Sequence, residues 1–545
     1  MYLTQEPQLH DPEISVVELD DAPVSTLDVA AVARGEASVR AAISTYTRLA
    51  DARAVIDQII KLDTAAYGVN RGLGPARDQV IPTELLGDFQ EFIIASHAAA
   101  VGKPLSPEEA RAVIFARIAV MARGGSGASR DVFDGLIALL EHNVIPVIPS
   151  HGSVGSADLA QLASIGAVLI GKGRAFTANG CTMVPGADAL REASLDPIRL
   201  QAKDGLALVG ANSASLGLSA LLHQRLETAG FTADLVAALT LEALSANLSP
   251  FSETVINARP LPGQIRSAAR IRNALDGGDL AVGTVPVQSL QDPLSIRTIP
   301  QVHGVFLEHV RALENVLLIE LNSPSENPLV VREGRQILSN GNFSVLGLAI
   351  ALESVRLTIA HMAIMAERRI SILVQQVRSG LPLVDHIRAA KTRTGFLAPV
   401  IIANTASALT ARIKHKANPV TVMGTTVGDG VEDHNSQAYT ANRYTADALD
   451  ALEQLHAIEA LMAVEVLDHE QAAHPSSVPR RLGNQLERVR EQIAVTVGDL
   501  GGATTTDQVV DAIRTSLTHL GSELRQIVPA PMPSPLSGFE HDPQL

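Results

Sequence analysis

The chain has 545 residues and a mass of 57.4 kDa, room for three or four domains of about 150 residues or for one intertwined helical body. Its 46% apolar content supplies a sizeable core, and 19% charged residues are too few for a disordered chain. A net charge of -15, with no Trp, five Tyr and eleven Phe, excludes a general nucleic-acid binder, which needs a basic surface and stacking platforms.

In chain order, residues 1–25 read as a polar, acidic extension without the pattern of a secretory signal. The lone Cys181 excludes an internal disulfide framework and a multi-cysteine metal site, and points to a reducing, cytoplasmic setting. No uncharged apolar run approaches 18 residues, so no membrane span is expected. Ser106-Pro107-Glu108-Glu109 carries the marks of a capped helix start, and ARAVIFARIAVMAR behind it keeps helical apolar spacing. Long helices are predicted over 301–321, 342–373, 396–416 and 442–468. Loops are predicted at 67–75, 123–127, 146–155 and 259–263, where Gly and Pro gather. The expected organisation is a helical domain with active-site loops over 26–204 and a bundle of long helices over 205–470. C-terminal helices over 471–528 and a flexible tail over 529–545 complete it.

Several familiar motifs fail. His469 and His474 stand five apart, which separates them around a helix, whereas zinc-binding pairs stand four apart. No metal site is expected. There is no GxSxG elbow and no phosphate-binding GxxxxGK[ST] loop.

A different set of segments is informative as a series. YGVNRGLG occupies 67–74, SHAAAVG 96–102, GSVGSADL 152–159, GLAL 205–208 and RPLPGQ 259–264. QDPLSIR at 291–297, PQVHG at 300–304, NPL at 327–329, GNF at 341–343, ERRI at 367–370 and KANPVT at 416–421 follow. Together they resemble, in order, the histidine and phenylalanine ammonia-lyase family. The resemblance implies an all-α fold: an N-terminal helical domain carrying active-site loops, and a central bundle of long helices. It implies homotetramers with active sites shared between subunits, and elimination of ammonia from an aromatic amino acid. The family electrophile is a methylidene-imidazolone ring made from an internal Ala-Ser-Gly tripeptide, whose glycine nitrogen closes the ring through a tight turn. By the same resemblance Tyr67 is the expected base, Arg297 the carboxylate-binding residue, and His97, Gln291 and Phe343 line the substrate pocket.

The chain departs from the family where the ring would form. Between Gly155 and Asp158 stand only Ser156 and Ala157, and no Ala-Ser-Gly occurs. The family Asn after GLAL is Gly210, unless Asn212 takes its role. The second tyrosine is Leu294, a family acidic position is Arg412, and a family Thr is Arg71. The expected cofactor is therefore none, with ring closure from Gly155-Ser156-Ala157 as the alternative. The expected catalytic residues are Tyr67 and Ser156. The expected substrate-binding residues are Arg71, His97, Gln291, Arg297, Phe343 and Arg412. Three guanidinium groups in one pocket would select a small anionic substrate, since unpaired buried charge is costly. Glu432 is read as structural. Three functions fit: a lyase using Tyr-assisted proton removal without the ring, a ring-dependent ammonia-lyase or aminomutase, and a non-catalytic ligand-binding homologue.

Overall fold

The computed structural model describes residues 15–177, 182–379, 401–473, 478–500 and 505–527. Cys181, His474, residues 396–400 of one predicted helix and the Pro-rich tail at 529–545 lie outside them. The fold is all-α, with a few short strands. Its two compact units are interleaved along the chain. The first takes Met1–Gln224, Leu313–Ile350 and Pro419–Asn442, and the second takes Arg225–Ala312, Ala351–Asn418 and Arg443–Leu545.

Local sequence explains the first unit's helices. Pro107–Met121 begins as predicted: the Ser106 hydroxyl accepts from Glu109 N at 3.1 Å, and the Glu109 carboxylate accepts from Ser106 N at 2.8 Å. Ser25 and Asp28 build the same reciprocal cap on Thr26–Arg34, which ends on left-handed Gly35 at φ 75°. The Pro107–Met121 helix is buried on every side from Ala112 to Met121, so it is the axis of this unit's core. Leu86–His97, Leu159–Leu169 and Asp204–Val209 pack against one another. Two antiparallel pairings tie the loops: Val101–Pro104 with Pro149–His151, and Ile145–Pro146 with Arg174–Phe176. Ser15–Leu19, inside the segment read as an extension, is a strand running parallel to Ala37–Ala41.

The predicted long helices are present as Ile299–Leu321, Leu346–Ser379, Ile402–Lys416 and Ala438–Ala473. The second begins four residues later than its apolar pattern predicts. Ser344 pairs in an isolated bridge with Ser156, which holds 341–345 out of the helix. At 259–263 the predicted loop ends early, because Pro262 opens the Pro262–Leu275 helix in its first turn. In the second unit, Arg369 pairs with Glu459 through bonds of 2.6 and 2.9 Å, both side chains fully buried, and Thr240 donates to the same carboxylate at 2.8 Å.

Two stretches, Asp204–Ala243 and Leu346–Val377, have the length and hydropathy of membrane-crossing helices. Within the protein 94% of the first window and 67% of the second is buried, which is how core helices behave.

Candidate active site

The Tyr67 loop follows the Ile43–Lys61 helix and is pinned from beneath. Ala66 and Val69 sit in a buried cluster with Val55, Ile56, Ile59, Leu86, Ala202 and Val330. Burying a valine contributes about 1.5–3 kcal/mol. Buried Asn70 accepts from Ala66 N at 2.8 Å and donates to Thr64 O at 3.0 Å. Buried Gln90 donates to Gly68 O and accepts from Leu206 N, both at 3.2 Å. This framework leaves the half-buried Tyr67 phenol at the surface of a cavity, where its oxygen accepts from Gly74 N at 3.1 Å.

Opposite stands the shortened loop. Gly155 has φ 83°, and a Cβ there would lie 2.8 Å from Gln437 N and 2.9 Å from Ala438 N. Only glycine meets both demands. The Gly155 carbonyl accepts from Ser436 Oγ at 2.9 Å, its N–H donates to Ser153 Oγ at 3.0 Å, and Gln437 N donates to Val154 O at 2.9 Å. Ser156, 7% exposed, donates to His434 O at 3.2 Å. Ala157 follows in the left-handed region at φ 64°, although it carries a Cβ. Asp158 anchors the far end. Fully buried, it accepts from Ser153 Oγ at 2.6 Å, Ser215 N at 2.7 Å and Ser215 Oγ at 3.0 Å. Burial pushes its carboxyl above the ordinary range, while these hydrogen bonds pull it back.

Left-handed backbone costs an alanine about 1–2 kcal/mol, and glycine at the same place pays extra unfolded-state entropy of about 0.4–1 kcal/mol. Ala157→Gly should therefore raise stability by about 0.5–1 kcal/mol net. Thermal unfolding checks it, and a lower midpoint would show that Ala157 is not strained.

Tyr67, His97, Ser156 and Phe343 all line one cavity of about 650 Å³. The sequence-predicted residues Arg71, Gln291, Arg297 and Arg412 are not on its walls. Arg71 Nη1 instead donates to the Asn70 carbonyl at 2.8 Å. Gln291, Arg297 and Arg412 belong to the second unit. Arg297 faces the Gln291 side-chain amide, whose oxygen accepts from Nη2 at 3.1 Å when the amide is turned toward it, and Arg412 is exposed on Ile402–Lys416. Gly210 lines the cavity, but Asn212 does not replace the missing amide. Its Nδ2 donates to the Phe343 carbonyl at 2.5 Å.

Three further wall residues were not among the expected site residues. Glu432, read from the sequence as structural, faces the cavity, and burial raises its carboxyl while His97 draws it down. Phe89 and Phe92 stand on Leu86–His97, a helix whose amphipathic pattern does not mark them out from core residues. His97 ends that helix. Its Nδ1 lies 2.7 Å from the Ile93 carbonyl, which can only accept, so Nδ1 carries the proton and a neutral ring keeps Nε2 as acceptor. Among the described residues the walls hold a phenol, an imidazole, one carboxyl and no arginine or lysine.

The aromatic amino acid lyase family model matches residues 24–494. A histidine ammonia-lyase of Anaeromyxobacter sp. (strain K) is 36% identical over 491 residues, covering 87% of this chain and 94% of that protein. The crystal structure of histidine ammonia-lyase from Trypanosoma cruzi superposes with a TM-score of 0.83 at 28% identity, covering 94% of this chain and 96% of that one. Tyrosine aminomutase from Streptomyces globisporus does so with a TM-score of 0.83 at 26% identity, covering 94% and 98%. With motifs, helical fold and cavity in agreement, the chain belongs to the aromatic amino acid lyase family and is a carbon–nitrogen lyase.

Proposed function

We propose that this lyase works without the methylidene-imidazolone ring, using Tyr67 as the base on a small anionic, amino-acid-derived substrate. The observation that carries the reading is the loop between Gly155 and Asp158. It is held at Gly155 by Ser436, at Val154 by Gln437 and at Asp158 by Ser153 and Ser215, and only two residues lie between Gly155 and Asp158. The ring-closing nitrogen would belong to Ala157, which carries a Cβ, and the position of the family asparagine is Gly210. These residues do not fit the ring.

Tyr67, as its phenolate, takes the β-proton and becomes the neutral phenol. The C–H electron pair becomes the carbon–carbon double bond, and the carbon–nitrogen pair leaves with nitrogen. The Gly74 N–H faces the oxygen that receives the proton and opposes movement of the phenol. Without an electrophile to activate it, nitrogen must leave from a cationic state, as an ammonium or a quaternary ammonium. The cavity suits such a group: Tyr67, Phe89, Phe92 and Phe343 gather there with the Glu432 carboxyl, in a chain with only five Tyr and eleven Phe.

The substrate carboxylate needs a cation that these walls do not provide. We assign that role to Arg297, positioned by Gln291 and supplied by a neighbouring subunit of a homotetramer, with Arg412 and Arg71 raising the positive potential. Apolar Leu346, Ile350 and Leu357 are exposed on one long helix at near-helical spacing, as an intersubunit face would require. A cytoplasmic setting accords with this metabolism.

Mass spectrometry tests cofactor and assembly together. Under denaturing conditions the chain should weigh what its sequence dictates. Under native conditions it should appear as four chains. A chain lighter by two waters would establish ring closure at Gly155-Ser156-Ala157. It would favour the second reading, a ring-dependent histidine ammonia-lyase, which the 36% identity to such an enzyme supports.

A further inference from the structure

Behind the cavity floor lies a cluster the mechanism does not use. Arg117 is 1% exposed on the buried Pro107–Met121 helix, Lys203 is fully buried, and Glu326 is 1% exposed. Arg117 Nη2 donates to the Glu326 carboxylate at 2.8 Å and also to the Ala207 carbonyl. The Lys203 ammonium makes no hydrogen bond among the described residues, and neither do Nε and Nη1 of Arg117. One carboxylate, paired with Arg117, thus offsets two buried cations, leaving a net positive charge out of water. That arrangement is costly, and a Lys203 replaced by an apolar side chain of similar size would be cheaper.

The cluster touches the cavity through the chain itself. Ala207 follows Leu206, and Asn327 follows Glu326; Leu206 and Asn327 both line the cavity. Among the described residues the cavity walls carry no lysine or arginine of their own. We propose that Lys203, with Arg117, is a specificity-determining residue that draws anionic ligands into the cavity through space.

This rests on the proposed reading of the cavity as the site of a small anionic substrate, represented by aryl acids because Tyr67, Phe89, Phe92 and Phe343 stand in its walls. Burial lowers Lys203 to about 8, with Glu326 raising it and Arg117 lowering it further. Asp204 is the other charged neighbour in the chain; it is turned to Ser129, Gln201 and, at 3.7 Å, Arg53. The attraction should therefore fade as the ammonium deprotonates. Stability moves the other way. The unfolded chain holds the Lys203 proton up to about 10.5, so between pH 8 and that value it binds more protons and folding becomes more favourable as pH rises.

Calorimetric binding of trans-cinnamate and of neutral cinnamamide, at pH 7 and 9.5, tests the proposal without turnover. Cinnamate should bind the native protein about tenfold more weakly at pH 9.5, cinnamamide about equally at both. Lys203→Met, or Lys203→Gln should the first not fold, should bind cinnamate about tenfold more weakly at pH 7 and lose the pH dependence. Native stability should gain on either variant from pH 8 to 10.5. Equal pH response for both probes in the native protein, or unchanged cinnamate binding in the variant, overturns the inference alone. Failure of the native protein to bind either probe overturns it together with the aryl-acid reading of the cavity.

Discussion

Tyr67→Phe should lower kcat by about 10²–10⁴, the range a positioned general base contributes. The expectation follows from how little else the substitution disturbs. The phenylalanine ring keeps its place because Ala66 and Val69 are buried on either side, and Asn70 and Gln90 hold the backbone around them. The one lost hydrogen bond, from Gly74 N, costs about 1 kcal/mol. Folding should survive and KM should move little, so the deficit belongs to the proton-transfer step. Ammonia or amine release from L-histidine, other aromatic amino acids and their quaternary ammonium analogues, compared with the native protein on whichever is turned over, checks it. Turnover within twofold of native would remove Tyr67 as the base and favour His97 or Glu432, the other proton-handling groups in the cavity.

Gly155→Ala should cost about 10²-fold in kcat with secondary structure intact. A new Cβ would fall within 3 Å of the backbone nitrogens of both Gln437 and Ala438, and backbone cannot swing aside as a flexible side chain can. The conformation at φ 83° adds strain. The loop must shift, taking Ser156 and Ala157 with it. A displacement near 1 Å among groups that position a substrate is worth about that factor. Steady-state kinetics beside circular dichroism separates this from unfolding. Unchanged kinetics would mean that the 155–158 loop plays no part in the chemistry, however close it stands to Tyr67.

Helix starts, long apolar helices and the Tyr67 loop were legible in the sequence because their causes are local. Ser106 with Glu109 caps a helix through atoms three residues apart, and Gly and Pro mark loops by their own dihedral limits. The late start of Leu346–Ser379 was not legible, since Ser344 is held by Ser156, far away in the chain. The place of Glu432 on the cavity wall was not legible for the same reason: the fold, not its own segment, brings it to the wall that carries Tyr67. The placement of Arg71 was likewise decided by the fold: four positions from Tyr67, it is not on the cavity wall, and its guanidinium donates to the Asn70 carbonyl.

By itself, the order of residues determined the family, the helical class and the missing Ala-Ser-Gly, because each is a matter of residue type and spacing. Only the tertiary structure decided that Gly155 and Ala157 occupy left-handed backbone, that the Asn212 amide nitrogen is bonded to the Phe343 carbonyl, and that Arg117 pairs with Glu326 while Lys203 is buried without a hydrogen bond among the described residues. Those facts depend on contacts between segments up to hundreds of residues apart. Close packing sets such contacts, and no pattern within a single segment encodes them.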